Sequence, residues 1–493
     1  MIRHLNILIT LVVLTALFSC SQSIANDSLD SNRPNIVVIL ADDMGFGEVQ
    51  HLNPERGKIA TPCLDQIAKN GLVFTDGHSG SSVCTPTRYG LITGRYAWRT
   101  RLQSGVLTGG ESLIASDRLT IAKMLKQNGY HTAMIGKWHL GMLYDGKTNN
   151  KKGVPVGSKI SDGPIDKGGF DAFYGFHHAR QMDVWIENDV VKERIDAEQM
   201  LPRLTKQAVT YIEGRKGKEQ PFFLYVPWNS PHSPVAPTEK WKGKSGLNDH
   251  ADFVMQTDDS FGQVVNALKD NGFWDNTLVI CSADNGTSGP TSKMKDLNKM
   301  GHFPSANLRG SKADIWDGGH RVPFIAHWPS VVKPGTRCDQ LVCLTDVIAT
   351  AADIIDVELP GSSAEDSISF LPLLKGDQAG TRESVIHHSV SGRFAIRSGD
   401  WKLMFCSGSG GWSAPKDAEA TKNGAPKWQL YNMRTDLGET ENLADSNEEK
   451  RDELHSLLKS QIANGRTTPG PEASNDVKVK IVKAGKKKNK KKK

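Results

Sequence analysis

The run Asn35-Ile-Val-Val-Ile-Leu40 constrains the fold more than any other stretch of the chain. From Ile36 onward it is continuously apolar and almost wholly β-branched, without the polar alternation of a half-exposed strand. That pattern suits a strand covered on both faces, as in a parallel sheet between helices. Open α/β sheets place their ligand sites at the carboxyl ends of such strands. Here the run delivers Asp42 and Asp43, followed by Met44-Gly45-Phe46-Gly47. Adjacent carboxylates repel unless a cation sits between them. Taken alone, Asp-Asp after a strand is also ordinary loop decoration, so the other strand ends decide its meaning.

Those ends carry chemistry too. A strand over His131 to Ile135 leads into Gly136-Lys137-Trp138-His139-Leu140-Gly141. Pro221 to Val226 runs toward Asn229-Ser230-Pro231-His232-Ser233-Pro234, where flanking prolines stiffen the loop around the imidazole. Thr277 to Ser282 ends at Asp284-Asn285-Gly286, and Val322 to Trp328 is a further strand. Between them lie helices over Thr61 to Asn70, stopped by Gly71, and over Thr120 to Asn128, capped by Gly129. Phe253 to Asn271 and Thr345 to Ile355 are also helical in pattern. Lys137 and His139, two apart after a strand, point the same way and reach one pocket. A short strand, Leu72 to Thr75, precedes the Gly/Ser loop that presents Cys84.

The predicted fold class is therefore α/β: a large, mixed, mostly parallel sheet sandwiched by helices. With 493 residues, 38% of them hydrophobic, the chain can bury one such domain and part of another. From about residue 376 the pattern changes to short strands at Ser384 to His388, Arg393 to Arg397, Trp401 to Phe405 and Gln429 to Asn432. A helix near Glu448 to Ile462 follows, which predicts a smaller C-terminal antiparallel sheet packed by one helix. The expected divisions are a catalytic domain over 34–375, a C-terminal subdomain over 376–470 and a disordered Lys-rich tail over 471–493. No internal repeats are visible.

Net charge is +6, but seven lysines within Lys486 to Lys493 account for more than all of it. The body is close to neutral and gives no ground for a nucleic-acid partner; a block of like charge is normally solvated. At the other end, Arg3 and His4 precede an apolar run from Leu5 to Phe18, short for a bilayer span and typical of a secretory signal. Ser23-Ile24-Ala25 suits ordinary cleavage after residue 25. Leu17-Phe18-Ser19-Cys20 resembles a lipobox that would leave a lipidated Cys20 as membrane anchor. Both readings imply export to the periplasm, cell surface or medium. Seven cysteines are an odd set for an exported chain, and Cys338 and Cys343 are close enough for a local disulfide.

Cys84-Thr-Pro-Thr-Arg88, then Leu91-Ile-Thr-Gly-Arg95, is the most demanding motif. A cysteine before a helical turn is by itself an ordinary buried thiol. The full order resembles the signature of the type I sulfatases, in the alkaline phosphatase-like superfamily. Gly129-Tyr-His-Thr-Ala-Met-Ile-Gly-Lys-Trp-His139 resembles their second signature. Pro231-His-Ser-Pro234, Leu308-Arg-Gly-Ser-Lys312 and Asp317-Gly-Gly-His-Arg-Val-Pro323 extend the match, with Asp317 where relatives more often carry Glu. Gly169-Phe-Asp-Ala-Phe-Tyr-Gly175 fits the family scaffold. The resemblance covers most of residues 34–470. His177 to Glu193 matches nothing closely and is either part of the substrate pocket or a surface insertion.

The resemblance implies a sulfatase whose Cys84 is oxidised by a formylglycine-generating enzyme to Cα-formylglycine (3-oxoalanine). It implies one Ca2+ held by Asp42, Asp43, Asp284 and Asn285 with residue 84, a hard cation on oxygen ligands. Arg88 and Lys137 would compensate charge at residue 84, and Lys312 would pair with the sulfate. His232 is expected to protonate the leaving oxygen and His139 to take a proton from residue 84, both titrating near neutrality. The expected substrate is a sulfated carbohydrate or an aryl sulfate. Two other readings use the same residues: phosphate or phosphonate monoester hydrolysis, and binding of a sulfated glycan without turnover should Cys84 stay unmodified.

Overall fold

The structure is a computed structural model that describes residues 33–147, 154–377, 379–380 and 382–481. The expected signal segment, Cys20 and the terminal lysines lie outside the described residues.

Ten strands form the main sheet. In chain order they are β1 (Asn35–Asp42), β2 (Leu72–Phe74), β3 (His131–Lys137), β4 (Ala172–Phe176), β5 (Val184–Glu187), β6 (Val190–Arg194), β7 (Phe222–Pro231), β8 (Thr277–Ala283), β9 (Phe324–His327) and β10 (Thr336–Cys338). Across the sheet they run β10-β2-β9-β8-β1-β7-β3-β4-β5-β6. The central strands β8, β1, β7, β3 and β4 pair in parallel, so their carboxyl ends share one edge. Ala41 stands opposite Ala283 and Asp42 opposite Pro231, which brings three of the four chemically marked strand ends side by side.

β1 shows why the sequence demands this position. Ile36, Val38 and Leu40 enter the core on one face, while Val37, Ile39 and Ala41 enter the core on the other. All are essentially inaccessible to water, each large side chain contributing about 1.5–3 kcal/mol of burial. One face is covered by α1 (Pro62–Asn70), α4 (Ala197–Glu213) and α5 (Asp249–Asp270); α2 (Cys84–Thr93), α3 (Ile121–Gln127) and α6 (Val347–Ile354) cover the other. Asn248 caps α5 by accepting from the Ala251 amide, so that helix begins before the expected Phe253.

A second sheet of four antiparallel strands, β11 (Ser384–His388), β12 (Phe394–Ser398), β13 (Trp401–Met404) and β14 (Gln429–Asn432), has that order in space. Leu454 and Leu458 of α7 (Glu448–Ala463) pack on its Ile396 and Leu403. Beneath it lies a charged network. The Lys402 ammonium donates to Asp317 Oδ1 and Glu439 Oε1, each at 2.7 Å, and meets His320 Nε2 at 3.2 Å. His320 Nδ1 meets His78 Nδ1 at 3.2 Å, and His78 Nε2 reaches Asp76 Oδ1 at 2.8 Å. Arg321 and Arg397 also pair with Asp76, and the ring of His387 stacks on His320 at 3.6 Å.

Two expectations are corrected. Cys338 and Cys343 are both free thiols. Cys338 ends β10 beside Phe74, whereas Cys343 belongs to a separate two-stranded ladder beside His78, so nearness in sequence does not bring them together. Residues 471–481, assigned to the solvated tail, are packed on the body instead. The Asp476 carboxylate accepts from Arg95 Nη1 at 3.2 Å and Nη2 at 3.0 Å, Asn475 Oδ1 accepts from Arg99, and the half-buried Val479 and Ile481 pack against the C-terminal core. Buried guanidinium groups need such partners.

Candidate active site

Asp42 closes β1, and Asp43 follows in the left-handed region at φ 71°. A short polar side chain tolerates that conformation, and the Asp43 amide donates to Asp284 Oδ1 at 3.1 Å. The Met44-Gly45 turn is buttressed by Glu48, which accepts from the Gly45 amide at 2.8 Å and from Thr287 and meets His250 at 2.6 Å. No side chain fits at Gly45, where a Cβ would stand 2.4 Å from the Pro304 carbonyl oxygen.

Cys84 opens α2 and is 2% exposed. Its Sγ lies 3.6 Å from Asp42 Oδ1, 4.0 Å from Asp43 Oδ1 and 3.6 Å from Lys312 Nζ. Burial pushes the thiol up to about 12 despite the opposing pull of Lys137 and Lys312. An unmodified Cys84 is thus a protonated thiol, a poor nucleophile.

Three fixed cations surround it. Arg88, one turn along α2, donates from Nε and Nη2 to Asp284 Oδ2 at 2.9 and 2.7 Å, and from Nη1 to the Lys137 carbonyl at 2.9 Å. Lys137 donates to Asp42 Oδ2 at 2.6 Å, and Lys312 forms a close ion pair with Asp43. Burial alone would neutralise Asp42, but Lys137, His232 and Arg88 outweigh it and hold its carboxyl below the usual range. Asp284 is pushed upward by burial and by Asp42. For Lys312, the Asp43 carboxylate overcomes burial and keeps the ammonium charged.

The two histidines differ in setting. β3 runs on through Lys137, and His139 turns away from the strand at φ 61°, so strand alternation does not aim it. Gly136 allows the bend: its φ is 146°, and a Cβ there would stand 1.9 Å from the Pro227 oxygen. His139 Nε2 meets the Leu107 carbonyl at 2.8 Å and must donate, which leaves Nδ1 as a buried acceptor with no partner. Burial, then Lys137, holds this imidazole well below its ordinary range and neutral. His232 follows β7 directly; its Nδ1 meets the Ser233 carbonyl at 2.6 Å, and its Nε2 lies 3.7 Å from Asp43 Oδ2. Its side chain keeps 17% of its surface in solvent. Burial also lowers its pKa, opposed by Asp43 and Asp42.

Every site residue named from the sequence therefore falls in one locality. The oxygens of Asp42, Asp43 and Asp284 are joined by Asn285, whose Nδ2 donates to Asp43 Oδ1 at 2.8 Å. Asn285 Oδ1 is buried without a partner. An orphaned oxygen among three carboxylates is a donor set that fits a hard divalent cation. Ligand atoms of Asp42, Asp43, Cys84 and His232 lie within 4.8 Å of one another.

Sequence reasoning missed Glu48, Thr287 and His250, which support the turn at a distance, and left His177 to Glu193 open. That segment divides. His177 and His178 are buried around His139, with the ring of His178 5.8 Å from it, and the Nε2 atoms of both lack partners. Residues beyond them form β5 and β6, an antiparallel extension of the sheet. Glycine-rich spacing before two histidines was the available signal.

Acids, cations and proton-transfer groups at the carboxyl edge of this sheet define an ester hydrolase of the alkaline phosphatase-like superfamily. The comparisons narrow the class. The sulfatase family model matches residues 34–357, and that of the N-sulphoglucosamine sulphohydrolase C-terminal region matches residues 311–468. An N-acetylgalactosamine-6-O-sulfatase of Bacteroides thetaiotaomicron is 30% identical, covering 90% of this chain and 96% of its own. A structure solved for the metabolism of multiple glycosaminoglycans by the same organism superposes with a TM-score of 0.76 at 28% identity, covering 87% of this chain and 99% of that one. Ps i-CgsB in complex with k-i-k-neocarrahexaose gives 0.70 at 25% identity, covering 90% and 95%. The chain belongs to the sulfatase family and is a sulfuric ester hydrolase.

Proposed function

We propose that this chain hydrolyses sulfate monoesters of a carbohydrate, with residue 84 acting as formylglycine beside one bound calcium. The observation that carries this reading is the placing of Cys84 Sγ 3.6 Å from both Asp42 Oδ1 and Lys312 Nζ, at the meeting of the acid and cation sets. The carbohydrate class is supported by the similar proteins, one named for an N-acetylgalactosamine sulfate and one bound to a neocarrahexaose.

Asp42, Asp43, Asp284 and Asn285 would hold the calcium. When present, the formylglycine hydrate supplies an oxygen nucleophile and the calcium neutralises charge on sulfuryl oxygens. The remaining work falls to the chain's own side chains. Lys312 and Lys137 fix positive charge where the sulfuryl group must sit, and such preorganised charge is usually the largest catalytic contribution. Arg88 spends its fork on Asp284 and the Lys137 carbonyl, locking the cluster's geometry. His232 Nε2, on the partly open side, protonates the leaving alcohol. His139 Nδ1, neutral and unpartnered, accepts a proton from residue 84. The apolar run Leu5 to Phe18 motivates export, with maturation by a formylglycine-generating enzyme and either free release or anchoring through Cys20.

Mass spectrometry of the residue-84 peptide from the native host, together with rates on sulfated sugars, aryl sulfate and aryl phosphate, tests the proposal. We expect a converted residue 84 and turnover of sulfate esters. An intact thiol in active protein, or faster phosphate cleavage, would overturn it.

A further inference from the structure

Three large apolar side chains stand exposed among the described residues: Val106 at 37%, Trp412 at 45% and Val156 at 58%. Two of them sit on loops tied to the backbone of the site. The Trp412 and Ser413 amides donate to Asp314 Oδ1 at 2.8 and 3.0 Å, and Ser413 Oγ donates to Asp314 Oδ2 at 2.5 Å. Asp314 lies two residues beyond Lys312. It is fully buried and also accepts from the Ser311 amide at 2.9 Å, so its oxygens are committed to holding this loop. Gly411 presses so closely on Ala313 that a Cβ would stand 2.3 Å from the Ala313 oxygen.

Val106 is anchored from the other side. The next residue, Leu107, donates its amide to Thr85 Oγ1 at 3.2 Å, and its carbonyl holds His139. The Gly105 amide donates to the Val390 carbonyl at 2.8 Å, the Val390 amide to the Ala313 carbonyl at 3.2 Å, and the Ala313 amide to the Ser82 carbonyl at 2.8 Å. Ser389 Oγ closes the ring by donating to the Gly410 carbonyl at 2.7 Å. The loops at 104–108, 389–393 and 410–413 therefore form one hydrogen-bonded rim, built on residues adjacent to Cys84, Lys312 and His139.

An isolated exposed side chain is unremarkable on a soluble surface. An exposed tryptophan whose backbone amide is fixed by a fully committed buried aspartate, on a loop hydrogen-bonded to the neighbours of the charged site, is a placed feature. Its apolar, electron-rich face suits the C–H face of a pyranose, whereas the charged floor suits the sulfate. We propose that Trp412 is a stacking platform for the sugar ring next to the sulfated one, with Val106 as a second apolar contact, so that the rim selects oligosaccharides over single sugars. This deepens the sulfated-carbohydrate reading and rests on it.

The test compares kcat/KM for a sulfated monosaccharide and the matching disaccharide, using full-length protein with residue 84 converted. Trp412→Ala should lower the disaccharide-to-monosaccharide ratio about tenfold, Trp412→Gln should do the same, and Trp412→Tyr should retain most of it. An unchanged ratio in the Ala and Gln variants, with unaltered circular dichroism, overturns the platform while leaving the carbohydrate reading intact. A wild-type enzyme that cleaves aryl sulfate but no sulfated sugar overturns both.

Discussion

Two buried clusters in this chain are written in the same residues and come to opposite ends. Around Cys84, the carboxylates Asp42, Asp43 and Asp284 face Arg88, Lys137 and Lys312. Beneath the second sheet, Asp76, Asp317 and Glu439 face Arg321, Arg397 and Lys402. Histidines flank both. The first cluster hangs from one edge of one sheet, opens to solvent past His232, and keeps Asn285 Oδ1 and His139 Nδ1 without partners. The second gathers loop charges around Arg397 and Lys402 of the smaller sheet, is fully enclosed at His78, His320, Lys402 and Glu439, borders a cavity only at Asp76, Arg321 and Arg397, and pairs each of its carboxylates. Charge with an open side and unspent oxygens can act on a ligand. Charge whose carboxylates are all answered by fixed cations ties distant stretches of the chain together.

Single substitutions should separate the two. Cys84→Ala should reduce sulfate ester turnover by more than about a thousandfold while leaving the unfolding midpoint nearly unchanged; kinetics and urea denaturation on one preparation check both. Lys402→Met should do the reverse in kind, costing about 3–5 kcal/mol of stability because Asp317 and Glu439 lose their shared cation in a sealed site. Normal stability in that variant would break the contrast. Treatment with a strong calcium chelator should lower activity about a hundredfold, restored by added Ca2+, without disturbing the second cluster's contribution to unfolding.

The smallest expected effect is on pH. Burial, joined by Lys402 and neighbouring histidines, holds His320 and His387 well below 6.5. In the unfolded chain they take up protons near 6.5, and in the folded chain they do not. Their stabilising contribution is complete above that pH and is lost as pH falls below it, by up to about 1.4 kcal/mol per pH unit for each group. Urea midpoints between pH 7 and 5 should fall less steeply for His387→Gln than for wild type. Equal slopes would remove His387 from the account.

The comparison also marks what sequence could show. Parallel strands buried on both faces are legible as apolar runs, and their chemistry sits at their ends, so Asp42, Lys137, His232 and Asp284 were all accessible to reading. Cys84, Arg88 and Lys312 came through motif resemblance. Asp317, His320 and Arg321 of the second cluster stood in a motif, but its assembly was invisible because its contacts are non-local: His78 meets His320 across 242 residues and Lys402 meets it across 82. Glu48 and His250 escaped for the same reason, being 202 residues apart. The Cys338–Cys343 pairing failed because adjacent stretches of chain enter different ladders. Residues 471–481 read as solvated tail because nothing in them announces that Arg95 and Arg99 need partners.

The burial of α2 sets an order of events in time. All ten of its residues, Cys84 to Thr93, are enclosed, and the thiol that heads it is held protonated. An enzyme that must grip the surrounding peptide cannot reach Cys84 once this helix has docked. Whatever chemistry residue 84 undergoes at another protein's hands must therefore be finished while the chain is still open, and a chain that folds first is committed to its thiol.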